Sequence, residues 1–344
     1  MINNPRVPKP DDGPVPENLR EKLLETVGMI RARVPDQHPV IGIILGTGLG
    51  SVAKCLQIEA EIRYEEIPWF AWSTVEGHAG KLLFGKLAGV PVVCMQGRFH
   101  RYEGWSMKNI TYPVRAMHYM GVKVLIVSNA AGCLNPQWNR GDIMLISDHV
   151  NLFGENPLVG HNDSAIGPRF PDMFNCYERH LRALVTETAL ANAVQLRQGV
   201  YAGLLGPNLE TEQPHPRHAA LPFLARLRGA APCLFSRPAF FGPASWGRAQ
   251  AAEYRWLRQG VGADAVGMST VPEVIVAVHI GLKVVGFSVL TDMCLPDSLE
   301  PTSHTEILRA AQTADEKMAR LMLAVIPRLA AELAAPAPAP AAAN

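Results

Sequence analysis

The sequence lacks the features of a membrane protein, a disulfide-rich secreted domain or a zinc protein. No apolar run approaches the roughly 18 residues that cross a membrane, and residues 1–20 contain no apolar segment of a signal peptide. The six cysteines stand singly, without the CxxC or paired-histidine spacing of a zinc site. We therefore expect buried, reduced thiols, no bound metal and a location in the cytoplasm.

The chain also has almost no net charge, with a formal value of +1 at pH 7. This balance gives no broad electrostatic surface for nucleic acid or for an anionic membrane. Any anion-binding site must therefore be local, and the composition favours small-molecule ligands.

Short runs rich in valine and isoleucine recur along the 344 residues, and each has the length of a strand. They lie at 40–45, 90–95, 122–127, 142–147, 200–205, 263–268 and 282–290. Longer helical patterns alternate with them at 18–34, 112–121 and 305–333. The alternation predicts a single α/β domain with a mixed, largely parallel central β-sheet flanked by helices.

Three segments do not fit this domain, which we place at 19–333. Residues 1–18 are rich in proline and aspartate, and residues 334–344 are a low-complexity tail, so both ends are expected to be disordered. Residues 212–250 hold six prolines and five arginines but no lysine, valine or isoleucine, and their aromatic residues follow no helical or alternating period. This segment is expected to be a flexible excursion, with a functional lid or a partner-binding arm as the alternative.

Polar side chains follow most of the predicted strands. Because ligands of α/β sheets bind outside the carboxyl ends of the strands, these side chains describe a candidate site. They are Thr47, Arg98, His100, Asn129, Glu210, Ser269 and Asp292.

The residue types at this site suit phosphate and a neutral ring. The "GTGLG" loop at 46–50 is neither a GxGxxG fingerprint nor a Walker loop, and a plain structural turn remains an alternative. Arg98 and His100 supply charge-assisted donors at alternate positions. The alternative is that they form a solvated pair on the protein surface. Hydroxyls of Thr47 and Ser269 would complete a phosphate cradle without a metal. The carboxylates of Glu210 and Asp292 remain to bind a hydrogen-bonding ring.

Eight separated motifs resemble those of the trimeric class of purine nucleoside phosphorylases, and they occur in the order found in that family. They are "GTGLG", "STVEGHAG", "QGRFHRYEG", "SNAAGCLNP", "GDIMLISDHVNL", "GPNLET", "GADAVGMSTVPEVIVA" and the histidine of "SHTEIL". The resemblance covers about residues 20–211 and 251–330. It implies a homotrimeric pentosyltransferase of purine salvage, which uses inorganic phosphate as co-substrate and needs no cofactor.

The resemblance also implies a role for each matching residue. Phosphate would be held by Thr47, Arg98, His100, the Ala130 backbone and Ser269, with His78 at its entrance. Ribose would be positioned by Tyr102, Met268 and His304, and the base would be surrounded by Asn129, Tyr201, Glu210 and Asp292. His100, Glu210 and Asp292 are the catalytic candidates. Core packing is the alternative for Tyr102, Tyr201 and Met268.

The chain departs from its relatives at three positions and at one junction. Ile166 falls where relatives often place an aromatic residue that reaches a neighbouring subunit, Leu209 replaces a common phenylalanine, and Asp292 replaces the asparagine of 6-oxopurine-specific members. In the relatives, "GPNLET" runs directly into a helix that arrives here only at 251, so residues 212–250 are an insertion beside Glu210. An inactive relative that retains nucleoside binding, a methylthioadenosine-type phosphorylase and a nicotinamide-dependent oxidoreductase remain alternatives.

Overall fold

The structure, a computed structural model, describes residues 18–46, 50–73, 79–207, 252–296 and 304–334. In these ranges the strands are β1 (Ile41–Leu45), β2 (Gln57–Arg63), β3 (Lys81–Leu87), β4 (Val90–Gln96), β5 (Val124–Cys133), β6 (Ile143–Asn151), β7 (Leu196–Gly203), β8 (Ala265–Gly267) and β9 (Lys283–Met293). The helices are α1 (Leu19–Arg33), α2 (Gly50–Lys54), α3 (Met107–Met120), α4 (Arg179–Ala191), α5 (Ala252–Trp256), α6 (Val271–His279) and α7 (His304–Ala334). None of these helices is both long and apolar enough to cross a membrane.

The nine described strands form one mixed sheet in the order β2-β3-β4-β1-β5-β8-β7-β6-β9, which confirms the predicted fold class. Strand β1 runs parallel to β4 and β5, whereas β2 and β3 join the edge in antiparallel pairs. An additional parallel pairing of β5 with β9 closes β5, β8, β7, β6 and β9 into a ring. The sequence patterns did not predict this closure.

Helices cover both faces of the sheet because each face is apolar. On one face, Val27 of α1, Tyr112 of α3 and Val274 of α6 belong to a single buried cluster. On the other face, Val185 of α4 and Met318 of α7 belong to a second cluster. The central strands are therefore buried on both sides, which explains their continuous apolar runs.

The sheet edge that carries the candidate site is uneven. Strand β1 ends at Leu45, and its pairing with β5 ends at Val127. Strands β5 and β9 continue side by side to Cys133 and Met293. The sequence analysis placed Asn129, Ala130 and Asp292 after strands, and this is wrong: all three lie within β5 or β9, in the part that extends beyond β1.

Several calls on domain organisation fall on residues that the structure does not describe. The proposed disordered ends (apart from residues 18 and 334) and the 212–250 insertion lie outside the described ranges. Their disorder and the domain limits of 19–333 stay predictions.

Candidate active site

Arg98 lies just beyond the end of β4 and is buried, with 2% of its surface exposed. Its Nη1 donates to Ser269 Oγ at 2.6 Å and its Nη2 donates to the Ser128 carbonyl oxygen at 2.5 Å. Its Nε lies 3.9 Å from the Glu273 carboxylate. Arg98 therefore joins the end of β4 and the middle of β5 to the start of α6.

Ser269 and Thr270 form a tight turn before α6. Thr270 has φ 73° and ψ −52°, and the Val271 amide donates to the Ser269 carbonyl at 2.8 Å. These are the features of a γ-turn with positive φ, a rare and strained conformation that costs a β-branched residue about 1–3 kcal/mol. The turn places Ser269 at the positive N-terminal end of a nine-residue helix, where anions bind favourably.

Thr270 connects two predicted site residues. Its Oγ1 accepts one hydrogen bond from Arg98 Nη1 at 3.0 Å and another from Asn129 Nδ2 at 2.8 Å. The Oδ1 atom of Asn129 is buried and has no hydrogen-bond partner among the described residues. Asn129 is thus held by its amide nitrogen and offers an acceptor. The sequence analysis missed Thr270, although the motif "GMSTVPE" carries two adjacent hydroxyls and only the first was used.

His100 is held by Glu103, which the sequence analysis also missed. The Glu103 carboxylate accepts from the His100 backbone amide at 2.7 Å and lies 2.8 Å from ring Nδ1. Burial lowers the pKa of His100 below its usual value, because desolvation outweighs the nearby carboxylate. At neutral pH the ring is therefore neutral, with Nδ1–H donated to Glu103 and Nε2 as the acceptor nitrogen. Tyr102 stacks on this ring, with centroids 4.6 Å apart.

Asp292 lies opposite Gly132 on the extended part of β5 and β9. Its Oδ1 accepts from the Thr291 hydroxyl at 2.7 Å, and its Oδ2 accepts from the Cys294 thiol at 3.1 Å. Both contacts suit a carboxylate rather than a carboxylic acid. A side chain at Gly132 would collide with Cys294 Sγ, so the close approach of the two strands requires glycine here.

Tyr201 and Met268 occupy different surroundings. Tyr201 is fully buried, its hydroxyl accepts from the Ser269 amide at 3.4 Å, and burial raises its pKa to about 12. It therefore supports Ser269 from the protein interior, in agreement with the core-packing alternative. Met268 is half-buried, and its thioether lies against Gly206 at the start of "GPNLET".

The remaining predicted residues are only partly placed. Ala130 is half-buried in β5 beside Asn129. His304 begins α7, and its side chain lies outside what the structure describes. Thr47, His78, Leu209 and Glu210 also lie outside the described residues. The structure thus brings Arg98, Asn129 and Ser269 into one hydrogen-bond network, with His100, Tyr102, Met268 and Asp292 on adjoining segments.

Ile166 does not face outward. Only 9% of its surface is exposed, and it packs into the core cluster of its own chain. Four residues later on the same segment, Phe170 is 88% exposed. Phe174 is equally exposed, so the exposed aromatic side chains of this segment are Phe170 and Phe174 rather than a residue at position 166.

Thiols and metal ligands are distributed as follows. Among the described cysteines, Cys94, Cys133, Cys176 and Cys294 are buried, Cys55 is half-buried, and none is in a disulfide. Within the described ranges, no group of histidine, cysteine, aspartate and glutamate side chains is arranged to hold a metal ion.

Comparison with known proteins identifies the family to which the chain belongs. The Phosphorylase superfamily profile matches residues 40–327. Purine nucleoside phosphorylase 1 of Bacillus subtilis is 38% identical over 308 residues, which cover 90% of this chain and 98% of the relative. The mouse purine nucleoside phosphorylase is 42% identical over 294 residues, or 83% of this chain and 88% of the relative.

Solved structures agree. The crystal structure of Schistosoma mansoni purine nucleoside phosphorylase with adenosine superimposes with a TM-score of 0.73 at 35% identity, over 90% of this chain and 97% of that one. The chain belongs to the purine nucleoside phosphorylase family, and its activity is that of a pentosyltransferase. The resemblance read from the eight motifs is confirmed.

Proposed function

We propose that this enzyme cleaves purine ribonucleosides and deoxyribonucleosides with inorganic phosphate as co-substrate and without a cofactor, giving the free base and a pentose 1-phosphate. The observation that carries this proposal is the Arg98–Ser269–Thr270–Asn129 network at the N-terminal end of α6. Its donors lie just beyond the ends of β4 and β8, within β5, and at the positive end of a helix dipole, where they favour a small anion.

The phosphate side works by charge and orientation. Arg98 and the Ser269 hydroxyl bind the anion, the Ala130 amide adds a donor, and Thr47 and His78 complete the site. Nε2 of neutral His100 accepts a hydrogen bond from a protonated oxygen of phosphate. His100 therefore selects the protonation state of the nucleophile. Fixing phosphate below the C1′ carbon stabilises the positive charge that the ribose develops and places the nucleophile for attack.

The base side works through Asn129, Glu210 and Asp292, while Tyr102, Met268 and His304 hold the ribose. Departure of the purine leaves negative charge on the ring, which a hydrogen-bond donor or a proton at N7 disperses, while the Glu210 carboxylate accepts from N1–H of a 6-oxopurine and orients the base. Asn129 Oδ1, a buried acceptor without a partner in the described part of the chain, suits a donor of the substrate. Tyr201 acts on this site through Ser269.

Adenosine is a second candidate substrate beside inosine and guanosine. Both oxygens of Asp292 accept hydrogen bonds, and a carboxylate so held accepts readily from the 6-amino group of adenine. Relatives from Schistosoma have been crystallised with adenosine and with hypoxanthine, so related sites hold both kinds of purine. Methylthioadenosine carries the same 6-amino group, so a methylthioadenosine-type activity is a further alternative and is tested in the same assay.

The quaternary proposal is a homotrimer in the cytoplasm. Phe170 supports the assembly, because a large apolar side chain exposed on a long segment suits contact with another copy of the chain. Size-exclusion chromatography with light scattering tests it: Phe170→Ala should weaken the trimer, and an unchanged mass at low protein concentration would remove this role.

The activity is tested by steady-state assays of inosine, guanosine, adenosine and methylthioadenosine with and without phosphate. Base release should require phosphate and yield pentose 1-phosphate in equal amount. Release of free ribose without phosphate would identify a hydrolase. Binding of nucleoside without turnover would identify the inactive relative.

A further inference from the structure

A second cluster of cations lies away from the candidate active site, between α3, α6 and the segment 157–166. Arg115 and Lys108 of α3 and His279 of α6 line a cavity with a volume of about 50 Å³. Asn162, Asp163 and Ile166 close its other side. Nothing in the phosphorolysis described above uses this cavity.

Arg115 is the main feature of the cavity, because it is a buried charge with no carboxylate partner in the part of the chain that the structure describes. Only 6% of its surface is exposed, and its one hydrogen bond joins Nη1 to His279 Nδ1 at 3.4 Å. No ion pair forms between Arg115 and any described acidic residue. Since a buried arginine is almost always paired, a counter-charge is missing.

The neighbouring groups increase the positive charge or leave it unchanged. Lys108 lies seven residues before Arg115 on the same helix face, and its Nζ lies against Gly160. Burial, and secondly the charge of Arg115, lower the pKa of Lys108. Burial and the Arg115 charge lower the pKa of His279 to about 4, so its ring is neutral at neutral pH. Arg115 itself stays charged, because burial lowers its pKa only to about 10.

The available negative charge does not balance two cations. Asp163 lines the cavity, but its Oδ1 accepts from the Ala165 amide in a local turn, and it forms no ion pair with either cation. The C-terminal end of α6 at His279 supplies about half an elementary charge. Counted with Asp163, the formal charges leave about half a positive charge, and neither cation has a direct carboxylate contact among the described residues.

We propose that this cavity, defined by Lys108, Arg115 and His279, is a second anion site that holds one small oxyanion of the size of inorganic phosphate. The remaining guanidinium donors of Arg115 and the ammonium group of Lys108 bind its oxygens. The cavity admits a small oxyanion, because a cavity of about 10–15 Å³ on the same measure already holds one water molecule, so this one has room for at least three. An anion here stabilises the packing of α3 against α6 and the segment that carries Phe170.

Equilibrium dialysis of the full-length protein with radiolabelled inorganic phosphate tests the site, at a phosphate concentration that saturates turnover. The wild-type protein should bind two phosphates per chain, and Lys108→Met should bind one. Lys108→Arg and the exposed control Lys123→Met should both retain two. Lys108 is half-exposed, so its replacement leaves the fold intact, and Arg115→Met is a second variant that should also bind one.

Arg98→Met separates this site from the proposed catalytic phosphate site. It should also lower the count by one, and Arg98→Met combined with Lys108→Met should bind none. If Arg98→Met left the count unchanged while Lys108→Met lowered it, the catalytic assignment would fail and the second site would stand. A wild-type count of one that Lys108→Met does not change would overturn the second site, and so would filling of the cavity by an acidic side chain of a second copy.

Discussion

The carboxylate of Glu103 contacts His100 twice, at the backbone amide 2.7 Å away and at ring Nδ1 2.8 Å away. This arrangement fixes the tautomer of a buried imidazole, with the proton on Nδ1 and Nε2 as the acceptor nitrogen. A general feature of histidines in functional sites is that the partner of one ring nitrogen sets the role of the other. If His100 binds phosphate as proposed, Glu103 is a positioning residue for that contact.

Replacing Glu103 by glutamine should lower kcat/KM for phosphate about tenfold, because a charge-assisted hydrogen bond is worth roughly 1.5–3 kcal/mol. KM for the nucleoside should change little. The exposed Glu155, which pairs with Arg101, provides the control Glu155→Gln, whose phosphate kinetics should match the wild type. Equal kinetics for both variants would remove the positioning role.

The same pair predicts a pH dependence of stability. The folded-state pKa of His100 is lowered, so the unfolded chain takes up the proton first, and stability falls as pH drops below about 6.5. Since Glu103 raises the pKa of His100, Glu103→Gln lowers that pKa further. The pH range over which the protein loses stability then becomes wider. Thermal melts on both sides of that pH should show a larger decrease for Glu103→Gln than for the wild type. A parallel decrease in both would contradict this account of His100.

Thr270 combines strain with function, and three substitutions separate them. Thr270→Val keeps the branched shape but removes the acceptor of Arg98 and Asn129, so kcat/KM should fall roughly 10- to 100-fold, since an unsatisfied buried donor costs about 1–3 kcal/mol. Thr270→Ser should stay close to the wild type. Thr270→Gly should melt at an equal or higher temperature, because glycine tolerates positive φ, yet lose activity as the valine variant does. Full activity of a folded Thr270→Val would refute the coupling.

Asp292 should set the preference between 6-amino and 6-oxo purines. Ionised Asp292 accepts from the 6-amino group of adenine but faces two acceptors of a 6-oxopurine, whose N1–H suits Glu210. We expect Asp292→Asn to raise kcat/KM for inosine and guanosine while reducing that for adenosine. The ratio of inosine to adenosine kcat/KM, measured for both proteins, decides the point; an identical ratio would show that Asp292 does not read the base.

Deletion of residues 212–250 joins Thr211 directly to Ala251, the junction that the family resemblance implies. Each doubling of loop length costs only about 0.6 kcal/mol, so the melting temperature of the shortened protein should be equal or slightly higher. Activity should be equal or greater, because the segment begins beside Glu210 and a displacement of about 1 Å can cost 10²-fold. A well-folded deletion variant that loses activity would show that the segment contributes to the site.

The sequence predicted the central strands and the two long helices better than it predicted the edges. Buried β1 and β4 were placed within one residue, because strands covered on both faces are continuous apolar runs. Edge strand β2, "QIEAEIR", was missed because most of its side chains are exposed and charged. Helix α6 was missed because its valine- and isoleucine-rich sequence favours a strand, and tertiary packing overrides that preference.

The candidate site was predicted unevenly for a similar reason. Residues with distinctive side chains after strands, such as Arg98 and Ser269, were found, and the structure brings them together. Glu103 and Thr270 were missed, because their roles depend on contacts with other site residues rather than on an expected contact with the ligand. A hydroxyl in a strained turn has no sequence signature, so Thr270 required coordinates.

Phosphate saturation of Arg98→Met, compared with Arg101→Met, tests the central claim most directly, namely that Arg98 binds the phosphate co-substrate. Arg101 is a matched control, because it follows closely in sequence but pairs with exposed Glu155. With inosine fixed at saturation, kcat/KM for phosphate should fall about 10²-fold or more for Arg98→Met, as for loss of a preorganised anion donor, and stay within about threefold for Arg101→Met. Ser269→Ala, a smaller change in the same network, should lower it in the same direction. Unchanged phosphate saturation in a folded Arg98→Met protein would contradict the account.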